Sequence, residues 1–256
     1  MQLVGLISAL VTILVGSWVA IRLLGLAQKT GELPERVLGL GMVAFAGIAY
    51  PMFLVGLLGA GHLSREAQLA VLVLANLGYW ACLVSLAVFT RVVFRPKAAW
   101  ALLAVVGLTL LEAAGAGISI VHSFGSAEAR TYADPVVRAS SAMISASFAL
   151  LFLWTSIEAA TYRSALRKRL ALGLADPVVV NRMGVWAIGT GVACLVDFGL
   201  VASNGFGLDP RETSIPALLQ SASGLACALT WMLTFAPSES YLAWVRRRAA
   251  RTGDGR

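Results

Sequence analysis

The sequence predicts an all-α polytopic membrane protein: one bundle of seven transmembrane helices, N-terminus outside and C-terminus in the cytoplasm. Three observations predict it. First, 59% of the 256 residues are hydrophobic and 13% are charged, whereas soluble domains carry about 45–50% apolar and about 25% charged residues. Second, the apolar residues fall into seven runs of about 20 residues or more, the length a bilayer requires. Third, the basic residues collect in alternate loops, and Lys and Arg mark the cytoplasmic side of a membrane.

The first span covers about 3–26 and ends in the polar stretch AQKTGELPER. Pro34 opens the second, about 36–60, and the loop GHLSREAQ leads to the third, about 67–90. RVVFRPK turns the chain into the fourth span, about 98–121, and HSFGSAEARTYAD carries it to the fifth, about 136–161. That helix continues as the basic run YRSALRKRLALGL. The sixth span is about 177–203; GFGLDPRETS precedes the seventh, about 216–236. Residues 1–245 thus form one transmembrane domain, and 246–256 a basic cytoplasmic tail. Pro34, Pro96, Pro135, Pro177 and Pro216 all stand where a helix begins, the position that tolerates a missing N–H. Asp134 and Asp176 precede two of them as N-caps. Pro51 alone interrupts a span, which predicts a kink there.

Counting Lys and Arg by side orients the bundle. Sixteen of the 20 fall with the loops after spans 1, 3 and 5 and the tail, and four with the others. The net charge of +7 therefore belongs to span ends facing lipid phosphate rather than to a nucleic-acid surface. Cys82, Cys194 and Cys227 lie in apolar segments without a CxxC pattern and read as small packing residues. The N-terminus has no basic stretch before its apolar run, so a cleaved signal peptide is not expected. No lipidation motif is visible.

Two carboxylates lie inside spans. Glu112 is fourteen residues past Ala98 and Asp197 fourteen past Met183, so each sits about 21 Å from the inner boundary of a core about 30 Å thick. Intramembrane carboxylates are costly and face protein or water rather than lipid. Helical spacing surrounds Glu112 with Thr109, Gly115, Ala116 and Ser119, and Asp197 with Thr190, Ala193, Cys194 and Asn204. Small and polar neighbours suit a helix–helix interface. Tyr50, Asn76, Ser140, Ser141 and Gln220 reach similar depths, with Arg138 near the outer lip. The expectation is an outward-open polar pocket for ligand binding or proton coupling, formed by Glu112, Asp197, Arg138, Tyr50, Asn76 and Gln220. The plain alternative is that these groups only fix the packing.

At the inner end, Glu158 has Arg91 and Arg95 as candidate partners. Arg163, Arg167, Lys168 and Arg169, with Arg246, Arg247 and Arg248, form two basic helical surfaces that suit anionic lipid or a docking partner. The second, SESYLAWVRRR, starts with Ser238 as its cap. Trp100 and Trp244 fit an interfacial aromatic belt.

No enzyme constellation is present. Two histidines, His62 and His122, fall short of a zinc hydrolase or a haem site. No Walker A loop occurs, and a serine dyad would lack its histidine. No metal and no cofactor are expected. The seven-span layout with an outside N-terminus is similar to that of rhodopsins, but the last lysine is Lys168, before span 6, which excludes a retinal Schiff base in the last span. The segment LRKRLALGLADPVVVNRMGVW, with FRP after span 3 and YLAWVRRRA after span 7, resembles uncharacterised bacterial seven-span proteins. More loosely, the layout is similar to seven-span sensor regions of bacterial signalling proteins. The resemblance implies a multi-pass inner-membrane protein with a sensory or signalling role and a cytoplasmic or membrane partner. A small proton-coupled transporter and a non-catalytic assembly subunit are the alternatives.

Overall fold

The computed structural model describes residues 2–59, 62–125, 134–208 and 214–253. Every regular element among them is helical: α1 (Gln2–Thr30), α2 (Leu33–Met42), a π-helical segment (Val43–Ala49), α3 (Tyr50–Gly59), α4 (Arg65–Phe94), α5 (Ala99–Gly125), α6 (Pro135–Ala171), α7 (Pro177–Gly205), α8 (Ser214–Phe235) and α9 (Glu239–Gly253). Six stretches are long and apolar enough to cross a membrane: 5–30, 33–56, 65–94, 99–125, 135–171 and 177–205. The apolar part of α8 among the described residues, Ser221–Phe235, is shorter. The layout is that of a multi-pass helical membrane protein.

The caps form as their residue types dictate. Asp134 and Asp176 accept from the backbone N–H groups of Val136 and Val178, each at 2.8 Å, with Pro135 and Pro177 opening the helices behind them. Ser238 accepts from the Tyr241 N–H at the start of α9. Pro96 differs from its expected place: it lies in the turn, and α5 begins three residues later at Ala99. The break expected at Pro51 takes the form of the π segment just before it. Proline cannot donate, and its ring would crowd the carbonyl four residues back. The wider π turn accommodates both, and the Tyr50 N–H reaches the Phe45 carbonyl five residues earlier.

The helices close into a ring in chain order. α1 packs on α2, α2 on α4, α4 on α5, α5 on α6, α6 on α7, α7 on α8, and α8 returns to α1. α4 also reaches across to α6. Short connections make sequential neighbours the cheapest partners. Two sets of contacts mark the two ends. Arg95 to Glu158 at 2.8 Å and Asn181 to Tyr241 at 2.6 Å lie at the arginine-rich end. Arg65 to the Phe124 carbonyl and His122 to Asp134 at 2.6 Å lie at the other.

Large apolar side chains point outward and small or polar ones inward. Leu14, Ile21, Leu103, Leu110, Val121, Ile188 and Leu195 are each more than 60% exposed, whereas Ala46, Ala87, Ala149, Thr90, Ser140, Ser147 and Thr155 are fully buried. A continuous apolar exterior on this scale marks a surface that lies against lipid. Four of the threonine hydroxyls inside are satisfied locally: Thr12, Thr90, Thr155 and Thr190 each donate to the carbonyl four residues back.

Candidate functional site

The centre of the bundle is polar. Glu112 on α5 is completely buried, its face packed on α6. Gly115 makes that approach close: a β-carbon there would lie 3.0 Å from the Ser140 carbonyl. Gly115, Ala116 and Ser119 are buried with it, as the helical spacing predicts. Glu112 Oε2 accepts from the Ser147 hydroxyl of α6 at 2.5 Å, while Oε1 has no partner among the described residues.

Asp197, on α7, is half-buried among Thr190, Ala193, Cys194 and Asn204, all of which are buried. It lies within electrostatic reach of Glu112. Tyr79 of α4 interacts with both carboxylates, and Tyr50 with Asp197. The group therefore draws on α3, α4, α5 and α7, with Ser147 of α6 as a hydrogen-bond donor. No cation is recorded acting on either carboxylate among the described residues.

Aromatic rings wall the group. Phe45 of the π segment touches Tyr50, Tyr79 and Trp231 at centroid distances of 5.0, 5.9 and 5.6 Å. Tyr79 also meets Phe148 edge-on. The Tyr50 hydroxyl points to the crossing of α1 and α8, where Gly224, Ser8 and Thr12 converge. Below, a small cavity lies between α6, α7 and α8, lined by residues including Trp186, Thr190, Cys227 and Trp231, with room for about one water molecule.

The remaining candidates spread out. Asn76 is buried on α4, one turn before Tyr79, and donates to the Leu72 carbonyl at 2.8 Å. Arg138 reaches from the first turn of α6 to the end of α7, where its guanidinium covers Gly207, a residue with φ 69°. The side chain of Gln220 lies outside the described residues. Ser147 and Tyr79 were not singled out by sequence reasoning. The available signal for Ser147 was its spacing of seven from Ser140, which repeats one helix face.

At the arginine-rich end, Arg95 pairs with Glu158 and stands over Trp100, and the Trp154 indole also donates to Glu158. Arg163 lies along α7 against Gly184, where a β-carbon would collide with its guanidinium. Arg167, Lys168 and Arg169 are exposed at the end of α6. α9 docks on α7 through Tyr241 and the buried Val245, leaving Arg246, Arg247 and Arg248 on its outer side. Trp244 stacks on Tyr241 and under Arg248. At the opposite end His122 belongs to α5 rather than a loop and binds Asp134. Among the described residues no cluster of three His, Cys, Asp or Glu is placed to hold a metal.

Comparison with protein-family models, curated proteins and solved structures finds no match.

Proposed function

We propose that this chain is a receptor-like sensory or signalling module of a bacterial inner membrane, with seven spans, its N-terminus outside and its arginine-rich end in the cytoplasm. The observation that carries the reading is the Glu112 group. A fully buried carboxyl with one unpartnered oxygen, coupled to Asp197, gives the bundle a polar centre on which four helices report. An isolated carboxylate is costly in such a medium, so an incoming ligand or proton changes the energy of the group directly. A signal needs two bundle states with different affinity for that ligand. The π segment beside Tyr50 is the element suited to move, since a π turn exchanges for an α turn by a shift of one residue in its hydrogen bonds. The basic surfaces of Arg163, Arg167, Lys168 and Arg169 and of Arg246, Arg247 and Arg248 then serve a cytoplasmic or membrane partner, or anionic lipid.

The unpartnered Glu112 oxygen also favours a second reading, a small proton-coupled transporter. One experiment on the full chain in proteoliposomes separates the two. A sensor shows a pH-dependent change in labelling at the arginine-rich end, abolished in Glu112→Gln and Asp197→Asn, with no proton flux. A transporter shows flux lost in Asp197→Asn. Identical behaviour of both variants and the unaltered chain in both assays would remove the carboxylates from any role beyond packing.

A further inference from the structure

Two anchors hold α9 at the boundary of the bundle. Three residues separate it from the end of α8 at Phe235, a reach of about 10 Å when fully extended. The Tyr241 hydroxyl accepts from Asn181 at 2.6 Å, and Asn181 stands only four residues past Pro177, where α7 begins, a rise of about 6 Å. Val245, one turn beyond Tyr241, is 6% exposed, so the helix stays against the bundle through its first two turns. Trp244, Arg246, Arg247 and Arg248 are exposed. Trp244, Arg247 and Arg248 stand three and four positions apart and so share one side of the helix. Glu239, in the first turn, is the only acidic residue of α9.

Both cation–π pairs among the described residues lie at this end. Arg248 stands over the Trp244 ring at 5.4 Å, and Arg95 over Trp100, in the first turn of α5, at 6.0 Å. Trp244 is 45% exposed and Trp100 50%. A half-exposed indole suits the level where its ring meets acyl chains and its N–H meets water. An arginine beside it lays its stem along the ring and keeps its charge toward phosphate. Trp244 therefore repeats on α9 what Trp100 presents at the start of a membrane-length helix. A helix with an aromatic and apolar side, adjoining arginines and low overall hydrophobicity lies in the plane of the headgroups. A soluble acidic partner complements the same charge, but α9 is tied within about one helix diameter of the boundary, where headgroups are the nearest anions.

We propose that Trp244, Arg247 and Arg248 form an interfacial surface of α9 that binds the headgroups of anionic lipid, with Arg246 adding charge beside them. This rests on the reading of the arginine-rich end as a docking surface and names its partner. The test follows amide hydrogen exchange across α9 in the full chain, in nanodiscs of phosphatidylcholine alone and in discs where phosphatidylglycerol replaces part of that lipid. Phosphatidylglycerol is expected to slow exchange by about tenfold or more, since each arginine at an anionic surface strengthens attachment about fivefold. Raised salt reverses the slowing. Arg246→Gln, Arg247→Gln and Arg248→Gln together abolish it, the corresponding triple change to Lys keeps most of it, and Trp244→Ala weakens it several-fold. Unchanged exchange within α7 reports an intact bundle in each variant. Equal exchange in the two lipids, or slowing that survives the triple change to Gln, overturns the proposal and leaves the surface to an acidic soluble partner. The discs carry lipid at both ends and no ligand is added. Slow α9 exchange with no pH response at the arginine-rich end therefore fails the sensor alone, and the reverse result fails the lipid surface alone.

Discussion

Ser147 gives the single hydrogen bond that holds Glu112 across helices among the described residues, so it measures what that contact contributes. Hydrogen bonds between membrane helices average about 0.6 kcal/mol and reach about 1.7. Ser147→Ala is expected to lower stability within that range, read from denaturant unfolding of the purified chain in detergent. A loss well above it would mean that Glu112 needs the hydroxyl to remain buried at all. Glycine positions offer a second residue-level comparison. At Gly78 a β-carbon would sit 2.8 Å from the Ala49 nitrogen and 2.9 Å from the Ala44 carbonyl, both backbone atoms of the π segment. No rotamer relieves that overlap, so Gly78→Ala costs about 1–3 kcal/mol. Gly117 has nothing within 4 Å of its β-carbon site. Gly117→Ala is neutral or stabilises by up to about 1 kcal/mol, the difference in helix propensity. Equal effects at the two sites in the same unfolding measurement would contradict the packing of α4 on the π segment.

Between elements, the link from α5 to α6 is ionisable. The Val136 N–H, and after it His122, holds the Asp134 carboxyl below the usual carboxylate range. A carboxylate depressed in the folded state contributes stability that is present above its unfolded value, about 3.9, and lost as pH falls through the folded value. The thermal midpoint of the unaltered chain is therefore expected to drop as pH is lowered below about 4, and Asp134→Asn to flatten that drop. An unchanged acid limb in Asp134→Asn would place the acid sensitivity elsewhere. The helices themselves were legible at this scale. Apolar length, the Asp-Pro starts and the Ser238 cap all act within one or two turns. The π segment was less so: Pro51 announced an irregularity, but its form depends on the backbone of α4 lying against it at Gly78.

For the whole molecule, the asymmetry of basic residues makes a topological forecast. Reporter fusions in the loops around residues 31 and 173 are expected in the cytosol, and those around 62 and 208 outside. A periplasmic reporter at 173 would reverse the proposed bundle. The ring order has its own check: cysteine pairs at positions 8 and 221, whose residues share a hydrogen bond, should cross-link α1 to α8. Failure of that pair while an α4–α6 pair at 90 and 155 succeeds would open the ring.

Residue order by itself determined the apolar helical runs, the Asp-Pro starts of two of them and the two carboxylates within spans, because hydrophobicity and capping act over short distances along the chain. It also brought out the Glu158 partnership, since only nearby arginines share that level. Only the tertiary structure decided that Ser147 faces Glu112 and that Arg138 covers Gly207. Those choices depend on how far each helix is turned about its own axis, and that rotation is set by the mutual packing of neighbours far apart in the chain.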